Sequence, residues 1–284
     1  MGKKRLIGLD MDGTVLTDNK EILPEVEEAI HRALAAGAEV VFCTGRSLAE
    51  MRETIALFPD MRYHCLESGA FLYDAWKGEP LRTENVPMEV REALAAAARG
   101  RDILPQVFAS GEAYMNAAQM RDCSHYLIEA FQPLYDRVVT PVEDALAFAL
   151  DAGRNVEKIN LFHTGPAERE KTARMVMGKG LPAEFAYCDE SSLEASPEGL
   201  TKARGLEGLC GALGITLQEA AMVGDADNDL AAMEAVGYAV AMGNANERVK
   251  AAADCSVADN EHGGCAEALG RILEHWGLRA GEQE

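Results

Sequence analysis

Apolar residues in this chain follow two rhythms. Short unbroken runs, among them LIGL at 6–9, VVFC at 40–43 and AAMV at 220–223, alternate with longer stretches in which apolar positions recur every three or four residues. Unbroken runs suit strands buried on both faces of a parallel sheet, and the three-four spacing suits helices that cover it. The first segment reads as a strand (Arg5 to Leu9), a helix (about Pro24 to Ala36), Gly37 as its stop, a strand (Ala38 to Cys43) and a helix from Ser47. This is a β-α-β unit with a parallel pair. A third run, Arg62 to Glu67, leads to ESGAFLYDAWKGEPL, where Lys77-Gly78 predicts a hairpin turn between two short strands.

The far end repeats the grammar: helix (about Thr201 to Leu213), strand (Ala220 to Val223), helix, strand (Tyr238 to Ala241), helix (about Ala245 to Ala253) and a last helix through His275. Between the ends the order changes to helix, two strands, helix, strand, helix, strand, helix, two strands, with EKINLFH the clearest strand and REALAAAARG the clearest helix. The predicted fold class is therefore α/β. A doubly wound parallel, Rossmann-like core is expected from residues 1–83 and 197–284, with an inserted α+β domain at 84–196.

With 284 residues, 48% of them apolar, the chain can bury a substantial core. Its 27 basic and 47 acidic residues give a net charge of −20, a field that repels nucleic-acid backbones and anionic lipid. Neither is expected as a partner, and a small anionic substrate would need a metal ion or well-placed cations. The cysteines, Cys43, Cys65, Cys123, Cys188, Cys210, Cys255 and Cys265, are odd in number and include no C-x-x-C pair, which suits reduced thiols. After the basic start only Leu6 to Leu9 precede Asp10, too short for the apolar region of a signal peptide, and no run approaches the roughly 20 residues of a membrane span. The expectation is a cytoplasmic protein, monomeric or homodimeric.

The candidate chemistry sits at strand ends. In IGLDMDGTVLTD, Asp10 and Asp12 share one side of an extended chain, about 6.6 to 7 Å apart at their Cα atoms, beyond the carboxyl end of the first strand. Open α/β sheets bind ligands at that edge. Gly13 and Thr14 turn the chain, although D-x-D-G-T alone also suits an ordinary turn. VVFCTGR offers the Thr44 hydroxyl and the Gly45 backbone to an anion. MVGDADNDLAAM ends another strand in Asp225, Asp227, Asn228 and Asp229, an oxygen-rich set suited to a hard divalent cation. Lys202 opens the helix that follows the insertion.

Together, DMDGT, Thr44 with Gly45, Lys202 and GDADND resemble, in order and placement, the four motifs of the haloacid dehalogenase-like phosphatases. The ending MGNANERVKAAADCSVADNEHGGCAEAL is similar to that of the Cof-like branch, whose large cap corresponds to the inserted segment. One departure is ESGAF, where the branch carries Asn before Gly and this chain has Ser68. The resemblance implies a Mg2+-dependent phosphatase acting on a small phosphorylated metabolite, most readily a sugar phosphate. It implies Asp10 as nucleophile, Asp12 as general acid and base, and Thr44, Gly45, Lys202 and Asn228 as phosphate-binding residues. The metal would be held by Asp10, the Asp12 carbonyl, Asp225 and Asp229, the last directly or through water. Tyr114, His125 and His163 in the cap segment are candidates for substrate choice by polarity only, and packing is the commoner use of such residues.

Rival readings are a phosphomutase with the same phosphoaspartate and a non-catalytic divalent-cation module. Geometry argues against an EF-hand, because the sixth loop position holds Leu230 or Val15 instead of Gly and the second candidate ends in Val236. A two-carboxylate glycosidase would leave Lys202 and the later acids idle. No serine-hydrolase elbow or Walker loop is present.

Overall fold

The computed structural model describes residues 4–187 and 190–279. Cys188, the beginning of the basic start and residues 280–284 lie outside the described residues. Strand β1 (Leu6–Leu9), buried at every position, pairs in parallel with β2 (Glu39–Phe42), Leu9 opposite Phe42. Between them α1 (Pro24–Ala35) opens on Pro24, whose missing N–H is harmless in a first turn. It buries Val26, Ala29, Ile30 and Ala33, the stripe that its spacing predicts. Gly37 then stops the helix with a φ of 86°. After α2 (Leu48–Leu57) come β3 (Tyr63–Leu66), β4 (Phe71–Asp74) and β5 (Glu79–Thr83), a three-stranded sheet in that order. The turn at Lys77-Gly78 joins the last two, with Gly78 at φ 72°.

The inserted segment runs α3 (Met88–Ala98), β6 (Ile103–Ala109), β7 (Glu112–Asn116), α4 (Gln132–Val138), β8 (Thr140–Val142), α5 (Ala145–Ala149), β9 (Lys158–His163), α6 (Pro166–Val176), β10 (Ala183–Ala186) and β11 (Ser192–Pro197). That is the order of helices and strands read from the periodicity. Its six strands form one sheet, β10-β11-β9-β6-β7-β8, antiparallel except for the β7–β8 pair. Strand alternation gives the sheet two different faces. Ile103, Val107, Ile159, Leu161 and Leu193 pack with the apolar stripes of α3, α5 and α6. Leu104, Phe108, Met115 and Phe162 pack with Cys123, Tyr126 and Tyr135 from the segment between β7 and β8.

The chain closes with α7 (Lys202–Leu213), β12 (Ala220–Gly224), α8 (Leu230–Ala235), β13 (Tyr238–Ala241), α9 (Glu247–Ala252), β14 (Cys255–Ser256) and α10 (Gly264–Trp276). The first and last segments join in one sheet, β14-β13-β12-β1-β2, parallel throughout. Strand β14 is absent from the sequence reading because two residues carry no period.

The chain divides into two compact units, one of residues up to Gly45, Glu53–Arg82 and Thr201 onward, the other of Arg46–Arg52 with Thr83–Leu200. Helix α2 is thus shared. Its first turn is tied into the second unit, where the Ala49 N–H donates to the Gly111 carbonyl at 2.9 Å and Arg52 pairs with Glu112. Nothing local in the sequence announces this. Among the described residues Cys43, Cys65, Cys123, Cys210, Cys255 and Cys265 are free thiols, and no helix among them is long and apolar enough to cross a membrane.

Close glycine contact fixes α7. A Cβ on Gly205 would lie 2.3 Å from Cys65 Sγ and 2.8 Å from Gly69 Cα. Gly205→Ala should therefore cost about 1–3 kcal/mol of unfolding free energy by displacing the helix that begins at Lys202. An unchanged denaturant midpoint would refute that packing argument.

A second test uses His64 on β3, buried and stacked on Phe42 with ring centroids 5.5 Å apart. Burial pushes its imidazole down to about 4 from an ordinary 6.5. The folded protein keeps this ring neutral where the unfolded chain protonates it. Its contribution is therefore complete above pH 6.5 and disappears as pH falls to about 4, roughly 3 kcal/mol for such a shift. A His64→Gln protein should lose less stability than its parent across that window, measured by chemical denaturation; parallel profiles would count against it.

Candidate active site

The candidate residues collect at the carboxyl ends of β1, β2 and β12. The Asp10 N–H donates to the Val223 carbonyl at 3.0 Å and the Cys43 N–H to the Leu9 carbonyl at 2.7 Å, so Asp10 and Thr44 follow neighbouring strand ends. The Asp10 side chain is almost fully buried. Against it lies Lys202, the first residue of α7, whose N-cap Thr201 accepts the Arg204 N–H. The Lys202 Nζ stands 2.5 Å from Asp10 Oδ1 and 2.6 Å from Asp229 Oδ1. The other Asp229 oxygen accepts the N–H groups of Asp225 and Ala226 at 3.0 and 3.1 Å. A Cβ on Gly224 would lie 2.5 Å from Asp229 Cγ, so only glycine lets this acid fold back against the strand end.

Asp225 is held from the other side. Thr14 Oγ1 donates to its Oδ1 at 3.0 Å. Gly13 has a φ of 82°, and a Cβ there would sit 2.4 Å from Asp225 Oδ2, so conformation and space both require glycine. Asp10, Asp225 and Asp229 each offer an oxygen within 4.8 Å of the others. A small hard cation takes such a set of carboxylate oxygens, so the residues present fit Mg2+.

Electrostatics agree with the geometry. Burial pushes the Asp10 carboxyl up to about 8, with the charges of Asp229 and Asp225 adding and Lys202 opposing. Burial and Asp229 push Asp225 up to about 6. Burial works against the Lys202 ammonium too, but Asp10 and Asp229 outweigh it and hold Lys202 well above its ordinary value. One ammonium among three crowded carboxylates leaves a surplus of negative charge, which a divalent cation would offset.

Asp12 differs from its expected geometry. Strand β1 ends at Leu9 and the chain turns at Met11, whose carbonyl accepts the N–H groups of Thr14 and Leu16, so strand alternation does not carry through to Asp12. Its carboxylate is 38% exposed and receives Lys20 Nζ at 2.8 Å, outside the buried cluster. Thr44 is buried, its N–H donating to the Cys65 carbonyl and its own carbonyl accepting the Ser68 N–H, both at 2.9 Å. Gly45 follows it, and Asn228 is exposed on the turn Asp227–Asp229.

Two contributors escaped the sequence reading. Asn244 Nδ2 donates to the Gly13 carbonyl at 2.9 Å and lies 3.4 Å from Asp225 Oδ2. It stands just beyond β13, so a polar residue past a buried strand was the available signal. Asn260 binds the Leu16 carbonyl and Asp18 Oδ1, both at 3.1 Å, and anchors the loop after β1 from 244 residues away; no local pattern predicts this. At the ESGAF departure, Glu67, Ser68 and Gly69 all take positive φ, 53°, 59° and 104°. Asn tolerates that region better than Ser, so Ser68 sits in a costlier conformation than the branch's usual residue would. In the inserted unit, His163 bonds the Ser191 carbonyl and Thr172, Tyr114 packs on Phe148, and His125 pairs with Asp102.

Known proteins resemble this chain in sequence and in fold. A family model described as haloacid dehalogenase-like hydrolase matches residues 7–269. The pyridoxal phosphate phosphatase YbhA of Escherichia coli is 28% identical over 270 residues, covering 90% of this chain and 94% of its own. The HMP-PP phosphatase of Serratia proteamaculans is 25% identical over 278 residues, covering 96% and 95%. Among solved structures, a haloacid dehalogenase-like hydrolase from Bacteroides thetaiotaomicron aligns with a TM-score of 0.82 at 25% identity, over 95% of this chain and all of that one. A subclass IIB sugar phosphatase shares the fold at a TM-score of 0.74 and 22% identity, over 96% and 99%. With the family model spanning nearly the whole chain, the protein belongs to the haloacid dehalogenase-like hydrolases, in their Cof-like branch, and is a phosphoric monoester hydrolase.

Proposed function

We propose that this protein is a Mg2+-dependent phosphatase that hydrolyses a small phosphomonoester, a sugar phosphate, through a phosphoaspartate on Asp10. The observation that carries the reading is the buried Asp10–Lys202–Asp229 network beside Asp225. Attack by a carboxylate on a phosphate ester joins two anions, so charge neutralisation dominates the barrier. Bound Mg2+, held by Asp10, the Asp12 carbonyl, Asp225 and, directly or through water, Asp229, would supply two positive charges where the phosphate arrives.

Asp10 is the nucleophile, and Lys202 holds both its carboxylate and the transferring phosphoryl group. Thr44, Gly45 and Asn228 bind the phosphate oxygens. Asp12 protonates the departing alkoxide and then takes a proton from the water that cleaves the phosphoaspartate. Its exposure keeps it in exchange with solvent, and its pairing with Lys20 keeps it apart from the buried cluster. Residues 84–196 act as the cap that excludes water and selects the leaving group. Similarity to a pyridoxal phosphate phosphatase and an HMP-PP phosphatase supports a small metabolite as substrate. Free thiols and the acidic surface favour the cytoplasm.

Phosphate release from a panel of sugar monophosphates, in Mg2+ and without any bisphosphate activator, tests the reading; transfer to a second sugar hydroxyl in place of release would establish the phosphomutase. Asp10→Asn should lower release by at least about a thousandfold with circular dichroism unchanged, and a chelator should do the same to the parent. Activity surviving both would defeat the mechanism. Asp12→Ala should lower turnover roughly 10²- to 10⁴-fold, and full activity across pH would remove Asp12 as the proton carrier.

A further inference from the structure

The backbone just past β13 is held on both sides. Met242 donates its N–H to the Gly224 carbonyl and Gly243 donates its own to the Ala258 carbonyl, both at 3.0 Å. A Cβ on Gly243 would lie 2.8 Å from the Asp259 nitrogen, so only glycine allows this approach. Asn244 follows directly. Its side chain is exposed and fills no core.

The amide of Asn244 has a defined orientation. The Asn260 N–H can only donate, and it donates to Asn244 Oδ1 at 3.2 Å. The amide nitrogen is thereby turned to the other side, where Nδ2 donates to the Gly13 carbonyl at 2.9 Å and to Asp225 Oδ2 at 3.4 Å. Asn260 is buried and is itself held by the Leu16 carbonyl and Asp18. All these residues belong to one compact unit.

We infer that Asn244 is a positioning residue for the divalent cation, and that it sets the preference of the site for Mg2+ over Ca2+. The inference rests on the Mg2+ reading above and deepens it. Thr14 takes one oxygen of Asp225 and Asn244 the other, so the carboxylate is gripped at both. Gly13, at a φ of 82°, is the most pliable link between the Asp12 carbonyl and the rest of the loop, and tying its own carbonyl to Asn244 limits that freedom. One side chain thus restrains two of the groups that would hold the ion. Mg2+ demands a nearly ideal set of oxygens at short range, whereas Ca2+ accepts a looser and more variable one. Loosening the set therefore costs Mg2+ more. Residues that orient metal ligands contribute typically about 10- to 100-fold in affinity. Asn244 touches no reacting atom in this role.

The test is calorimetric titration of the full chain with Mg2+ and, separately, with Ca2+, without substrate. Asn244→Ala should weaken Mg2+ at least about tenfold and lower the ratio of Mg2+ to Ca2+ affinity at least about threefold. A smaller change in either quantity would overturn the assignment. Thermal unfolding separates positioning from a merely structural role: the rise in melting temperature that Mg2+ gives the parent should shrink in the variant, while the two proteins should melt alike in chelator. An equal drop in chelator and in Mg2+ counts against the proposal. If Asn244→Ala fails to fold, Asn244→Leu, of similar size to asparagine, carries the same comparison. A parent chain that takes up no Mg2+ defeats the metal reading as well, whereas a parent that binds Mg2+ beside an unchanged variant defeats only the role of Asn244.

Discussion

The candidate site depends on one buried ammonium. Lys202 bridges Asp10, 192 residues away, and Asp229, 27 residues away, with almost no solvent access. Removing one member of a buried ion pair leaves an uncompensated charge that costs about 3–5 kcal/mol, so each of the three side chains constrains the other two. The network also leaves Asp225 and part of the negative charge unmatched. That cluster of carboxylate oxygens suits the site to a divalent cation.

Glycines set the distances on which this network relies. Gly13 and Gly224 remove the atoms that would otherwise occupy the space of Asp225 and Asp229, while Gly69 and Gly205 bring the start of α7 against the turn after β3. The acids and the lysine supply the chemistry, and backbone close approach supplies the register that places them together. Asn244 completes the arrangement by binding both the Gly13 carbonyl and Asp225.

The inserted unit follows a different logic. Its sheet is apolar on the helix-covered face and mixed on the other, where Gln106 donates to Glu50 and accepts from Asn160. Charged residues there are balanced within the sheet, as Lys158 is by Glu194.

Much of the fold was legible because unbroken apolar runs and three-four periodicity are local properties of a chain. They identified β1, β2, β12 and β13, the order of elements in the insertion, and strand-end acids as candidate chemistry. Local pattern also explains what it missed: β14 is too short to have a period, and Asp12 left the strand alternation once the chain turned at Met11. The tertiary structure alone decided that Lys202 is shared by Asp10 and Asp229, that Asn260 anchors the loop after β1, and that the first turn of α2 belongs with the inserted unit. These are contacts between residues far apart in sequence, set by sheet order and helix packing, and no periodicity within a single segment encodes them.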